Sequence, residues 1–65
     1  MKLQLNGESI DTSATNLADF LEQHGFSDAK VATAVNGTFV SAQQRKDQAL
    51  EEGDMIEVLA PMQGG

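Results

Sequence analysis

Met1-Lys2-Leu3-Gln4-Leu5-Asn6-Gly7-Glu8-Ser9-Ile10-Asp11 is the stretch on which the fold turns. Leu3 and Leu5 alternate with Lys2 and Gln4, a period of two that argues for a half-buried strand. Asn6-Gly7 follows, the strongest two-residue hairpin signal, because both central positions of such a turn need φ > 0. Glu8 to Asp11 then reads as a short returning strand with Ile10 on the core face.

Beyond this hairpin, Thr12-Ser13-Ala14-Thr15 reads as a polar link. Asn16 is a helix-capping residue, and Asp19, three residues on, sits near the positive end of the helix dipole. Leu17, Phe20 and Leu21 fall at i, i+3 and i+4, one apolar stripe. Gly25, after His24, supplies a left-handed stop, so a helix is expected over about 16–24. Val31 to Val35 is a β-rich run that meets a second Asn-Gly, Asn36-Gly37, before Thr38-Phe39-Val40, which predicts another hairpin. Ser41 to Leu50 is polar, expected as a helical turn and loop with Leu50 reaching back to the core. Glu52-Gly53-Asp54 marks a turn into the last strand, Met55-Ile56-Glu57-Val58-Leu59, with Ile56 and Val58 on one face. Pro61 ends that strand by removing a ladder donor.

The order is ββαβββ. One helix must cover one face of one sheet, which gives a two-layer α+β domain. The link between the first hairpin and the third strand is long enough for a helix to return across the sheet. A mixed sheet of four to five strands with the first and last strands adjacent at its centre buries Leu3, Leu5, Ile56 and Val58 under Leu17, Phe20 and Leu21. That is the ubiquitin-like β-grasp arrangement; on pattern alone, other small α+β sheets stay open. The expected division is a β-grasp domain over 1–60 and a flexible tail over 61–65.

Sixty-five residues make one small domain. A core of this size stabilises by only about 3–5 kcal/mol unless something staples it. There is no cysteine, hence no disulfide, thiolate nucleophile or zinc-thiolate site. Ten acidic against four basic side chains give a net charge of −6, which disfavours nucleic acid and suits a basic docking face on a protein partner. No apolar run approaches the ~20 residues of a membrane span, and the N-terminus lacks a signal peptide's apolar stretch. The expected compartment is the cytoplasm.

Side-chain chemistry is sparse. His24, the lone histidine, sits where a charge–dipole contact at a helix end accounts for it. Ser27 and Asp28 are too near it in sequence to make a triad. Glu51, Glu52 and Asp54 crowd one turn without calcium-loop spacing. No Gly-rich phosphate loop is present. No catalytic and no metal-binding residues are expected, and the chain is not read as an enzyme.

Gly64-Gly65 stands apart. Two glycines behind a strand and a proline form a thin arm whose backbone fits a narrow channel. The last group offered is an α-carboxylate, which adenylation converts to a mixed anhydride with a good leaving group. A sulfur nucleophile then yields a thiocarboxylate, and an amine yields an amide. On the dipeptide alone, a frayed end is the commoner reading.

Over its whole length the sequence resembles the ThiS-type sulfur carrier proteins of thiamine biosynthesis, ubiquitin-like β-grasp proteins. The resemblance rests on Met1-Lys2-Leu3-Gln4-Leu5-Asn6-Gly7-Glu8, Leu17-Ala18-Asp19-Phe20-Leu21, Val31-Ala32-Thr33-Ala34-Val35-Asn36-Gly37, Glu52-Gly53-Asp54-Met55-Ile56-Glu57-Val58 and the terminal Gly64-Gly65. It implies that a ThiF-like adenylating enzyme, using ATP and Mg²⁺, activates the carboxylate of Gly65, with Gly64 giving access. Sulfur from cysteine, passed through a desulfurase, would convert that carboxylate to a thiocarboxylate, and a ThiG-like thiazole synthase would take the sulfur. The chain itself would bind no cofactor, and the free protein is expected to be a monomer.

Docking requires more than two glycines. Ala32 and Ala34 share a face opposite Val31, Thr33 and Val35, and Leu59 points away from Ile56 and Val58. With Met62 and Gln63 these residues outline an expected partner surface; the competing expectation is that the loop after Val40 covers it. Many family members carry Pro-Arg or Pro-Lys after the fourth strand and an aromatic residue beyond, where this chain has Ser41-Ala42-Gln43-Gln44-Arg45. Contacts by that loop are therefore not carried over. Three rivals remain: the molybdopterin synthase small subunit, a sulfur carrier of the same fold that is usually longer; a protein modifier conjugated through Gly65; and a passive β-grasp binding module.

Overall fold

A computed structural model describes residues 1–26 and 30–59. Five strands, β1 (Lys2–Leu5), β2 (Glu8–Asp11), β3 (Ala32–Val35), β4 (Thr38–Val40) and β5 (Met55–Leu59), surround one helix, α1 (Leu17–Gln23), and a 3₁₀ segment, Ala42–Asp47. They form one sheet in the order β2-β1-β5-β3-β4. β1 and β5 run parallel, and β1–β2, β3–β4 and β3–β5 run antiparallel. This is the expected mixed-sheet β-grasp, with the first and last strands side by side at its centre.

Both Asn-Gly pairs make the turns read from the sequence. Asn6 and Asn36 have φ of 51° and 52°, and Gly7 and Gly37 have φ of 87° and 84°. This left-handed geometry matches the right-handed twist of the flanking strands. At the start of α1 the Asn16 carboxamide oxygen accepts the Asp19 N–H at 2.7 Å, satisfying one of the helix's unpaired donors. The helix stops at Gly25, whose φ of 87° falls in the left-handed region.

The helix stripe and the inner face of the sheet make the core. Leu17, Phe20 and Leu21 bury with Leu3, Val35, Val40, Leu50, Ile56 and Val58. Leu5, expected to be fully inside, is half-buried and packs at the margin, since it is the last residue before the chain turns away. The segment 12–15, expected as a mere polar link, is part of the core boundary. Ala14 is 2% exposed, and the Thr12 hydroxyl accepts the Ala14 N–H at 3.1 Å while donating to Gln23 Oε1 at 3.1 Å. Its neighbour Thr15 accepts the Leu50 N–H at 3.0 Å, and Leu17 donates to the Gln48 carbonyl at 2.9 Å. These bonds tie the helix start to the strand-free stretch that leads into β5.

The 3₁₀ segment lies on the helix side of the sheet. Its Arg45 reaches under β3, where Nε donates to Thr33 Oγ1 at 3.1 Å and Nη2 to the Val31 carbonyl at 2.6 Å. Thr33, 2% exposed, donates in turn to the Val40 carbonyl at 2.8 Å. A buried hydroxyl is tolerated here because both its donor and its acceptor capacity are used.

Candidate functional site: the open face of the sheet beside the last strand

β5 is the middle strand, so its alternation decides both faces of the sheet. Ile56 and Val58 point to the helix, while Met55, Glu57 and Leu59 point to solvent. The outward residues meet those of β3 and β4. Ala34 pairs with both Phe39 and Glu57, and Ala32 pairs with Leu59. Leu59 is 70% exposed, Phe39 67% and Met55 52%. Between them lies a shallow depression of about 140 Å³ lined by Ala32, Ala34, Phe39, Glu57 and Leu59.

Large apolar side chains left together on one face cost solvation and mark surfaces that partners cover. Here the small Ala32 and Ala34 form the floor, and Leu59 and Phe39 form the walls. Ala32, Ala34 and Leu59 thus stand together as expected. The loop after Val40 does not cover them, which decides between the two sequence-level expectations. The reason is Arg45: its hydrogen bonds to Thr33 and Val31 draw the 3₁₀ segment to the inner side, against α1. Phe39 and Met55 were not singled out from the sequence. The signal was present, since Val40 and Ile56 point inward and period two turns their neighbours outward.

Gly64 and Gly65, together with Met62, Gln63 and Pro61, lie outside the described residues, as do Ser27 and Asp28. The described chain reaches Leu59, at the end of the central strand.

Elsewhere the chemistry is structural. The largest hollow, about 710 Å³, runs along the β3–β4 hairpin and the segment 44–54, with Asp47, Glu51 and Asp54 on its wall. Asp54 is occupied there, accepting from Asn36 Nδ2 at 2.9 Å and from the Glu51 N–H at 2.8 Å. Among the described residues no group of three or more His, Asp or Glu side chains converges. His24 caps the helix end, and its ring packs on Phe20 at 4.5 Å between centroids, tilted 43°. Its Nε2 is buried and without a partner among the described residues. Packing thus accounts for a position where the sequence pointed to a charge–dipole contact. No helix among the described residues is long and apolar enough to cross a membrane.

The model of the ThiS family matches residues 3–65. The sulfur carrier protein ThiS of Thermus thermophilus is 36% identical over 61 residues, which are 94% of this chain and 95% of that protein. A crystal structure of the thiamine biosynthesis protein ThiS from Geobacter metallireducens superposes with a TM-score of 0.85 at 25% identity, covering both chains completely. An NMR solution structure of a thiamine biosynthesis protein from the same organism gives 0.80 at 25% identity, covering all of this chain and 88% of that one. Matched in sequence across both hairpins, the helix and the last strand, and matched in fold, the chain belongs to the ThiS family.

Proposed function

We propose that the chain is a sulfur carrier whose Gly65 carboxylate is adenylated, converted to a thiocarboxylate and used as the sulfur source for thiazole formation in thiamine biosynthesis. One observation carries the reading. The family match runs through residue 65 and so takes in Gly64-Gly65, in a chain 36% identical to a sulfur carrier protein.

The chemistry follows from the weak electrophilicity of a carboxylate. Its oxygen attacks the α-phosphorus of ATP, pyrophosphate leaves, and the acyl-adenylate carries AMP as a leaving group. A persulfide on a partner then attacks the carbonyl carbon and expels AMP, giving an acyl disulfide. A second thiolate attacks the partner's sulfur in that disulfide, so the Gly65 thiocarboxylate leaves and a new disulfide forms on the partner side. ATP and Mg²⁺ belong to the ThiF-like adenylating enzyme. A cysteine desulfurase is the origin of the sulfur, and a ThiG-like thiazole synthase takes it. The chain is therefore a protein substrate in these reactions, acting in the cytoplasm.

The division of labour matches the anatomy. The domain over 1–60 supplies recognition, through Ala32, Ala34, Phe39, Met55 and Leu59, with Met62 and Gln63 continuing that surface. The arm over 61–65 supplies the reacting group, with Gly64 admitting it to a narrow channel. The net charge of −6 favours encounter with a basic partner face.

Intact-mass analysis of the protein purified from its native cells tests the reading. The expected species carries one oxygen replaced by sulfur at Gly65, and deletion of Gly65 abolishes growth without thiamine. Adducts joined through Gly65 to lysines of other proteins would instead identify a modifier. Thiamine-independent growth after the deletion, with loss of molybdenum-cofactor activity, would place the chain in molybdopterin synthesis.

A further inference from the structure

The two Asn-Gly turns share backbone geometry but grip opposite ends of β5. In the parallel β1–β5 ladder the Gln4 N–H donates to the Asp54 carbonyl and the Asn6 N–H to the Ile56 carbonyl, each at 2.9 Å. Each step advances two residues on both strands, as a parallel ladder requires. The next step would reach Val58, but at Asn6 the backbone leaves β1 for the hairpin, with φ of 51°.

The Asn6 side chain takes that step. Its Nδ2 donates to the Val58 carbonyl at 3.2 Å, and its Oδ1 accepts the Val58 N–H at 2.9 Å. A carboxamide carries the same donor and acceptor as a peptide group, so it extends the ladder by one position after the strand has turned away. Asn36 does the corresponding work at the start of β5, where its Nδ2 donates to Asp54 Oδ1 and its Oδ1 accepts the Met55 N–H, both at 2.9 Å.

We propose that Asn6 is a positioning residue whose carboxamide, acting as a surrogate peptide group on Val58, fixes the line along which the chain leaves β5 toward Gly64-Gly65. Its consequence for activation rests on the sulfur-carrier reading above. The open face provides docking and Asn6 provides aim, so loss of the carboxamide lowers turnover by the activating enzyme while leaving docking intact. Misdirection of a reacting group is expensive because productive attack needs a narrow range of distance and angle.

The test compares the full chain with Asn6→Gly, Asn6→Asp and Asn36→Gly. Glycine keeps the left-handed turn while removing the carboxamide, and aspartate keeps the acceptor for the Val58 N–H but loses the donor. NMR on the ¹⁵N-labelled free protein is the first arm. Asn6→Gly is expected to speed Val58 amide exchange and lower the Leu59 order parameter, Asn6→Asp to fall between, and Asn36→Gly to leave both as in the parent chain. Unchanged Val58 and Leu59 in Asn6→Gly, or an equal change in Asn36→Gly, would overturn the proposal.

The second arm is ATP–pyrophosphate exchange with a ThiF-like adenylating enzyme. Asn6→Gly should lower kcat about ten-fold at constant KM, with partial recovery in Asn6→Asp and none of this loss in Asn36→Gly. A KM effect without a kcat effect, or unaltered kcat, would refute the aiming role. If the parent chain itself supports no exchange, the sulfur-carrier reading fails, and the NMR arm still decides whether Asn6 directs the strand's exit.

Discussion

The two faces of β5 come from one five-residue strand and obey opposite rules. Inward, Ile56 is 1% exposed and Val58 6%, packed under α1; outward, Leu59 is 70% exposed and Met55 52%. Leucine and isoleucine have nearly the same transfer free energy, so hydrophobicity does not explain the difference. A single helix covers a single face, and the other is left with apolar side chains that no element of the described chain covers. The inward face holds the domain together, whereas the outward face is free to serve a partner. Substitutions on the two faces should therefore separate stability from activity.

The largest effect is expected at Ile56→Ala. Truncating a fully buried branched side chain costs about 2–5 kcal/mol, comparable with the whole stability of about 3–5 kcal/mol expected for a domain this small. Circular dichroism should show a largely unfolded chain at 25 °C; a cooperative melt near that of the parent would break the distinction between the faces.

Thr33→Val tests the same inner face through its one buried hydroxyl. Valine keeps the shape, but the Val40 carbonyl and Arg45 Nε each lose a partner, at a cost of about 1–3 kcal/mol. Urea denaturation would register this as a lower midpoint at unchanged slope. It should also loosen the 3₁₀ segment, which is held to the inner side through Arg45.

On the outer face, Leu59→Arg should leave the melting curve nearly unchanged and lower kcat/KM for adenylation about ten-fold or more, as expected for an apolar anchor. Its effect should appear in KM, in contrast to the kcat effect of Asn6→Gly. Adenylation kinetics equal to those of the parent would remove Leu59 from the docking surface. The smallest effect is expected at the helix that makes the faces unequal. Asn16→Ala removes the cap on Asp19 and should cost about 1 kcal/mol, read as a modest fall in melting temperature with adenylation retained.

Much of this architecture was legible residue by residue. Asn6-Gly7 and Asn36-Gly37 specify hairpins because the left-handed geometry is confined to the two residues that adopt it. Asn16 and Gly25 bound the helix for the same local reason, and the alternation in Met55 to Leu59 assigns the two faces. Ala14 was misread because small residues carry no periodic signal in a four-residue link, and its burial depends on the helix folding back over it. The open face was only half legible. Ala32, Ala34 and Leu59 followed from alternation, but whether the loop after Val40 covered them depended on where Arg45 found acceptors.

The sequence by itself determined the turns, the cap, the strand alternation and, through its likeness to one family, the significance of Gly64-Gly65. Tertiary structure alone decided that Arg45 would turn inward beneath β3 and that Asn6 would reach Val58, 52 positions along the chain. The physical reason is range. A turn or a cap is settled by φ preferences and hydrogen bonds within about four residues. A carboxamide's choice of partner is settled only when the parallel ladder has brought a distant strand alongside, with a carbonyl and an N–H left to satisfy.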